Sequence, residues 1–204
     1  MGSLGKTARE YIISIYMDNS LNYQDVWRKP QYIATKVRAF ELLEGYLPQS
    51  PQRILDIGCG FAKVSELFQK KYNTELYLME SDMTNSAGQR IGKFGEVDSF
   101  QWYLPIERIK QEWDANGMTY THVDGNNISI DPSVKFDLVY SWLSCGFHYP
   151  AQTYRDLILQ HTTPDSVIIM DFRASTIHQQ IKDFETVKIL RGDNKMQTRH
   201  IRFR

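Results

Sequence analysis

Short apolar runs alternate with helix-like segments along the chain from residue 51 onwards. Strands are predicted at residues 53–57, 75–79, 119–123, 136–140 and 166–170. The segments between them place apolar side chains at helical spacing, as Val64, Leu67 and Phe68 do. This alternation is typical of a parallel sheet with helices on both faces, so the chain is predicted to have an α/β fold.

The end of the chain departs from this alternation. A helix is predicted at residues 175–184, and two strands, residues 186–190 and 196–203, then flank the turn-forming segment 191–195. Two strands joined in this way form an antiparallel hairpin. The predicted architecture is therefore a doubly wound, seven-stranded, mostly parallel sheet with an antiparallel C-terminal hairpin.

The first fifty residues form a separate region in this pattern. From Thr7 to about Tyr46 the spacing is helical, with breaks near Asn19 and Pro30, and a turn-rich connector follows. We predict an N-terminal helical extension or lid, residues 1–50, in front of one α/β domain, residues 51–204. A long connection at residues 82–117, with a helix-like piece at 106–113, interrupts the domain after its second strand.

Charge and composition narrow the classes of partner. The chain has 24 Lys and Arg residues and 24 Asp and Glu residues. Because phosphate contacts supply most non-specific affinity for nucleic acids, this balance predicts no nucleic-acid partner. No apolar run is long enough for a membrane span and residues 1–10 lack a secretory signal, so a cytoplasmic location without membrane contact is expected. Cys59 and Cys145 form no metal-type pair, and no metal is predicted.

The strongest chemical signal is the segment from Asp56 to Gly60, Asp-Ile-Gly-Cys-Gly, at the end of the first predicted strand. Gly58 and Gly60 allow a sharp turn and let a ligand approach the backbone closely. The following helix offers free N–H groups and a positive dipole end to a carboxylate. A dinucleotide-binding turn would have a third glycine where Lys63 stands and an apolar residue in place of Asp56. A ligand with an ammonium group beside a carboxylate therefore fits this turn better than a pyrophosphate.

Residues 54–62, with the sequence ILDIGCGFA, resemble the first motif of class I S-adenosylmethionine-dependent methyltransferases. The resemblance implies a Rossmann-like methyltransferase fold, S-adenosylmethionine as cofactor and methyl transfer as the activity. It also implies which residues bind the cofactor. They are Asp56 near the methionine amino group, the backbone of Gly58, Cys59 and Gly60 along the methionine part, Glu80 with Ser81 beside it at the ribose hydroxyls, Asp124 with Gly125 at the adenine, and Ser141 and Trp142 next to the methyl donor and acceptor.

The loop after the fourth predicted strand contains the candidate catalytic residue, His148. A hydroxyl acceptor needs a general base, and histidine titrates near neutral pH. The alternative interpretation, that His148 caps or orients the next helix, stays open. Asp171 and Arg173, placed just after the fifth predicted strand, are further candidates for contact with the acceptor.

The predicted function is methylation of a small-molecule or sugar-like acceptor, glycans included, at an oxygen atom, with nitrogen as the alternative. The loop at residues 141–149 lacks the Asn/Asp-Pro-Pro-Tyr/Phe signature of amino methyltransferases that act on nucleobases and glutamine. Two alternatives remain. One is a module that binds the cofactor without turnover, and the other is a nicotinamide-dependent oxidoreductase, which Asp56 and Lys63 disfavour.

Overall fold

A computed structural model describes residues 29–82 and 105–204 of the chain. Its centre is one seven-stranded sheet with the strand order β3-β2-β1-β4-β5-β7-β6. The strands are β1 (Arg53–Ile57), β2 (Glu75–Glu80), β3 (Tyr120–Asp124), β4 (Leu138–Ser141), β5 (Val167–Arg173), β6 (Phe184–Gly192) and β7 (Met196–Phe203).

Strands β1 to β5 run parallel to one another, whereas β7 is antiparallel to both β5 and β6. The predicted α/β fold, with a mostly parallel sheet and a C-terminal hairpin, is therefore confirmed. Strand β5 is longer than predicted, because Asp171, Phe172 and Arg173 pair with residues of β7. Asp171 and Arg173 thus lie within the strand and not after it.

Helices cover both faces of the sheet. They are α1 (Pro30–Tyr46), α2 (Lys63–Tyr72), α3 (Ile106–Ala115), a 3-10 turn (Ala151–Tyr154), α4 (Arg155–Gln160) and α5 (Ile177–Gln180). Helix α5 is much shorter than the predicted 175–184, because the chain enters β6 at Phe184. The helices predicted before residue 29 and most of the connection after Asp82 lie outside the described residues. Within the described ranges, no helix combines the length and apolarity needed to cross a membrane.

Two buried clusters lie on opposite faces of the sheet. Leu43 of α1, Phe68 of α2 and Trp113 of α3 belong to one cluster, on what we call the first face. Ile158 of α4 and Ile177 of α5 belong to the other. Successive strand residues point to opposite faces, so each central strand contributes to both clusters. This is the doubly wound arrangement that the sequence predicts.

Helix α1 is fixed on the first face at its C-terminal end. Pro30 stands in its first turn, where the missing N–H has no helical partner to lose. At the other end, the Tyr46 hydroxyl and His200 Nδ1 are hydrogen-bonded at 2.6 Å. The two rings also meet edge to face, with 5.5 Å between their centroids. The earlier part of α1, including the buried Lys36, is thereby held against the same face.

A carboxylate from the segment directly before β4 fixes the start of β1. Asp137, just before β4, accepts hydrogen bonds at its Oδ2 from the backbone N–H groups of Gln52 and Arg53, both at 2.8 Å. Asp137 N–H also donates to the Arg53 carbonyl at 3.0 Å. These bonds set the register in which β1 and β4 pair, and hence the level at which β1 ends.

We expect Asp137→Ala to lower the free energy of unfolding by about 1–2 kcal/mol, because two charge-assisted hydrogen bonds are lost. Urea denaturation followed by circular dichroism measures the change. Asp156→Ala is the matched control: its side chain is 95% exposed and forms a surface ion pair with Arg155, so the expected loss is below about 0.5 kcal/mol. Equal losses in the two variants would contradict the role assigned to Asp137.

Candidate active site

The glycine turn after β1 crosses the end of β2. Gly58 and Gly60 have positive φ angles of 68° and 54°. The N–H groups of Gly58 and Cys59 both donate to the Met79 carbonyl, at 2.9 and 3.2 Å. Ala62 then takes up a left-handed conformation directly before α2 begins at Lys63. The turn therefore lies beside the last residues of β2, with the N-terminus of α2 behind it.

Position 58 in the glycine turn has no room for a side chain. A Cβ added to Gly58 would lie 1.9 Å from Ser144 Oγ, in the loop that follows β4. Ser144 Oγ is in turn 3.1 Å from the Tyr149 hydroxyl. The sequence predicted close approach of a ligand here, and the structure adds a second cause. The glycine turn and the loop after β4 pack against each other.

Glu80, the last residue of β2, faces the glycine turn. Its Oε2 accepts a hydrogen bond from Gly60 N–H at 2.8 Å, and the residue is only 6% exposed. Burial raises the pKa of the Glu80 carboxyl to about 8, although hydrogen bonds from the Gly60 and Ser81 N–H groups act in the opposite direction. The nearby Asp56 carboxylate adds to the upward shift. Glu80 is thus a buried acceptor placed against the turn.

Asp124 ends β3 next to Glu80. The two residues are register partners in the parallel β2–β3 pair. Ser81 Oγ donates to Asp124 Oδ1, and Asn126 N–H donates to the same oxygen at 2.9 Å. The Ser81 hydrogen bond is the main cause of a lowered Asp124 pKa. Glu80, Ser81 and Asp124, with Gly125 beside them, therefore form one polar corner at the carboxyl end of the sheet.

Asp56 forms hydrogen bonds with two hydroxyl groups on the first face of the sheet. Its Oδ2 accepts hydrogen bonds from Ser65 Oγ of α2 at 2.9 Å and from the Tyr140 hydroxyl of β4 at 2.6 Å. Burial raises the Asp56 pKa to about 6, while both hydroxyls and the Lys36 ammonium lower it. Asp56 thus joins α2, β1 and β4. Its contact with a cofactor amino group stays a prediction.

Ser141 is the last residue of β4 and Trp142 follows it, and the two differ in their surroundings. Ser141 Oγ donates to the Ile57 carbonyl at 2.9 Å and accepts from Cys145 N–H at 2.7 Å, so it fastens the loop to β1. The Trp142 ring lies under the Arg191 guanidinium, with Cζ 4.8 Å from the ring centroid. Leu143, the next residue, has a positive φ of 57° and donates its N–H to Asp171 Oδ2 at 3.1 Å.

His148 is buried and weakly basic. The His148 ring packs edge to face on Phe147, with 5.1 Å between centroids. The backbone N–H of His148 donates to the Ser144 carbonyl at 2.9 Å. Burial, together with the nearby Arg173 guanidinium, lowers the His148 pKa to about 3. The imidazole is therefore neutral at pH 7 and holds an added proton poorly in this arrangement. This environment fits the alternative interpretation, a structural histidine, better than a general base.

Lys36 is a site residue that the sequence analysis missed. Lys36 is 8% exposed. Its ammonium group lowers the pKa values of the Asp56 and Asp171 carboxyls, against the larger upward effect of burial. Its Nζ also lies 5.1 Å from the Tyr32 ring centroid. The sequence did contain a signal for its burial. At helical spacing, Lys36 lies on the same face of the amphipathic helix as the buried Ala39, Phe40 and Leu43.

Asp171 is the acid that Lys36 and Arg191 share. It is fully buried, its Oδ1 accepts from Thr198 Oγ1 at 2.6 Å, and its pKa is about 6, raised by burial. Among the described residues, no group of three or more His, Cys, Asp or Glu side chains is arranged to hold a metal ion. Hydrogen-bond donors and buried charges thus dominate the site.

Several solved structures have the same fold. A protein from Pyrococcus horikoshii OT3 is 12% identical, with a TM-score of 0.61 over 98% of this chain and 100% of that chain. A methyltransferase from Pyrococcus furiosus is 14% identical, with a TM-score of 0.55 over 83% and 82% of the two chains. The plantazolicin methyltransferase BpumL, solved with a monoazolic desmethylPZN analogue and SAH, is 17% identical, with a TM-score of 0.50 over 87% of this chain and 66% of that chain.

At these identities the similarity shows the fold alone, and it confirms the Rossmann-like methyltransferase fold that the glycine motif implies. No protein-family model and no curated protein sequence matches the chain. The assignment of individual site residues therefore depends on the geometry of this chain.

We expect the free energy of unfolding to fall as pH rises from 6.5 to 8, because of Glu80. Its pKa is about 8 in the folded protein and 4.5 ordinarily, so the folded state holds a proton that the unfolded state has released. Linkage then gives a loss of at most about 1.4 kcal/mol per pH unit. Urea denaturation at four pH values measures the slope, and Glu80→Gln should flatten it. An unchanged slope in that variant would contradict the shifted pKa.

Proposed function

We propose that the protein is an S-adenosylmethionine-dependent methyltransferase. The observation behind the proposal is the corner in which the glycine turn meets two acids from neighbouring strand ends. Gly60 N–H donates to Glu80, and Asp124 is the register partner of Glu80. Ligands of open α/β sheets bind at this edge, outside the carboxyl ends of the strands. The SAH complex of BpumL, a protein of the same fold, supports the choice of cofactor.

The polar groups in this corner match the parts of the cofactor. The ribose hydroxyls would hydrogen-bond to the buried Glu80 carboxyl group, and Asp124 with Ser81 and Gly125 would face the adenine. The N–H groups in the first turn of α2 lie behind the glycine turn and suit a carboxylate. Both hydroxyl partners of Asp56 use Oδ2, so Oδ1 is the oxygen with which it would face an ammonium group.

Methyl transfer from a bound sulfonium needs little covalent chemistry from the protein, because the cofactor supplies the electrophilic methyl group. The chain's own residues would orient the acceptor and exclude water. Trp142 is buried at the end of β4, and α1 covers the first face with Tyr32 and Lys36 near the glycine turn. These groups would lie around an acceptor bound next to the turn.

For the acceptor, we propose a small or sugar-like molecule that is methylated at an oxygen atom. A helix-covered site beside a buried indole suits an acceptor that can be largely surrounded. A peptide-derived acceptor is the main competitor, because BpumL was solved with a desmethylPZN analogue. A panel of sugars, hydroxylated small molecules and short peptides, with SAH release as the signal, distinguishes the two. Release only with peptides would overturn the proposed acceptor class and leave the methyltransferase assignment intact.

The cofactor assignment predicts that SAH binds the protein and that Glu80→Ala weakens binding by about 10–100-fold, because the hydrogen bonds to the ribose are lost. Isothermal titration calorimetry measures the dissociation constants, and circular dichroism confirms that the variant is folded. Glu75→Ala, an exposed substitution at the opposite end of β2, is the matched control and should bind as the unmodified protein does. The absence of SAH binding, or equal binding by both variants, would contradict the proposal.

Two other functions give different results in the same assays. A nicotinamide-dependent oxidoreductase would bind the nicotinamide cofactor and not SAH. A module without turnover would bind SAH and transfer no methyl group to any acceptor in the panel. Asp56 and Lys63 disfavour the oxidoreductase, and the acceptor panel decides whether the protein turns over.

The role of His148 as a general base stays a prediction. If the imidazole takes the acceptor's proton, His148→Gln should lower kcat by about 100-fold or more. A structural role should lower kcat less than tenfold. Because the His148 pKa is about 3, we expect the smaller loss. The pH dependence of kcat provides a second readout, since removal of a true base also removes the acidic limb of the profile.

A further inference from the structure

The register of the C-terminal hairpin brings Arg191 to the edge of the sheet where the candidate site lies. Thr198 of β7 pairs with Asp171 of β5 on one side and with Arg191 of β6 on the other. These residues therefore form one row across three strands. Ser141, the last residue of β4, pairs with Met170, so Trp142 continues the same row. Arg191 and Trp142 lie at opposite ends of the row, and their side chains meet over it.

The half-buried Arg191 side chain has an unsatisfied donor. It stacks on Trp142, and one Nη lies 3.9 Å from Met196 Sδ, a weak acceptor. Its Nε is buried and has no hydrogen-bond partner within the described residues. None of the ion pairs that the described part of the chain forms includes Arg191. Buried guanidinium N–H groups are normally hydrogen-bonded, so this arrangement lacks an acceptor.

Trp142 lacks an acceptor at the same place. The residue is 5% exposed, and its indole Nε1–H has no hydrogen-bond partner within the described residues. A buried indole N–H usually finds one. The guanidinium Cζ is 4.8 Å from the centroid of this ring, so the two side chains are stacked. Two unsatisfied donors in contact are a stronger indication of a ligand than either one alone.

Asp171 does not fill this role, although its carboxyl interacts electrostatically with Arg191. Its Oδ1 accepts from Thr198 and its Oδ2 from Leu143 N–H. The Arg191 and Lys36 cations both act on the Asp171 carboxyl without a direct ion pair.

The pair lies on the acceptor side of the proposed site. Trp142 directly follows β4, and Ser144, two residues later, contacts the glycine turn at Gly58. The nucleoside corner, at Glu80 and Asp124, is on the opposite side of that turn, on β2 and β3. A ligand at Arg191 and Trp142 would therefore sit beside the cofactor and not in its place.

We propose that the Arg191 guanidinium and the Trp142 indole N–H bind an anionic group, a carboxylate or a phosphate, on the methyl acceptor. This inference rests on the proposed methyltransferase function and narrows the acceptor to molecules that carry such a group. Charge-assisted hydrogen bonds to an oxyanion are among the strongest in proteins, and arginine matches paired oxygens in geometry. The small or sugar-like acceptor thus becomes a carboxylated or phosphorylated one.

Nuclear magnetic resonance tests the site without knowledge of the acceptor. The chain has four tryptophans, and Trp142→Phe identifies the Trp142 indole N–H signal in a nitrogen-15 correlation spectrum by its loss. Inorganic phosphate and acetate are then titrated separately, with SAH present and ionic strength held constant. We expect this signal to move downfield and to saturate, with an apparent dissociation constant on the order of millimolar. The tighter of the two anions indicates whether the natural group is a phosphate or a carboxylate.

Arg191→Met, which keeps an apolar stem and removes the guanidinium, should weaken this response by about tenfold or more. Arg202→Met is the matched control, because Arg202 is an exposed arginine on the neighbouring strand β7. It should respond as the unmodified protein does. A shift that does not saturate, or one of equal strength in Arg191→Met, would overturn the proposal.

Calorimetry with SAH on the same samples separates this proposal from the methyltransferase assignment. Arg191→Met should bind SAH with an unchanged dissociation constant, since Arg191 lies on the far side of β4 from the nucleoside corner. SAH binding without a saturable anion response would contradict the anion site alone. An anion response without SAH binding would contradict the methyltransferase assignment and show that the site serves a different ligand.

Discussion

The candidate site depends on one carbonyl oxygen, that of Met79. It accepts hydrogen bonds from the N–H groups of Gly58 and Cys59, so the chain that leaves β1 has to cross the end of β2. Glu80 is the next residue of β2, and this crossing brings its carboxylate to Gly60. The parallel register of β2 and β3 then places Asp124 beside Glu80. Two positive-φ glycines and one strand pairing thus determine the proposed nucleoside corner.

Polar and apolar side chains share the first face of the sheet. Ile54 and Ile169 belong to the apolar cluster of this face. Because the side chains of a strand alternate between faces, Asp56 lies on the same face as Ile54, and Asp171 on the same face as Ile169. Burial raises the pKa values of the two acids to about 6, and Lys36 from α1 acts against that shift. The end of the face next to the glycine turn is therefore a region of closely spaced buried charges, whereas its middle is an ordinary core.

Much of this organisation could be predicted from the sequence, and the limits have physical causes. The strand–helix alternation and the glycine motif predicted the fold and the strand ends at Glu80 and Asp124, because both depend on local patterns. The position of Arg191 could not be predicted, since register shifts between β6 and β7 displace it by amounts that periodicity does not encode. The sequence predicted that Asp171 follows β5. Pairing with β7 extends β5 to Arg173, and this long-range contact leaves no local pattern in the sequence.

Leu143 gives the two proposed ligand sites a common support. It adopts a left-handed conformation that is costly for a residue with a Cβ, and Asp171 holds it there through its N–H. Trp142 precedes Leu143 and stacks with Arg191 at the proposed anion site. Ser144 follows Leu143 and packs against the glycine turn at Gly58. A shift of this three-residue segment changes both binding surfaces at once. Occupation of one should therefore alter affinity at the other, and thermodynamic reciprocity requires the same factor in both directions.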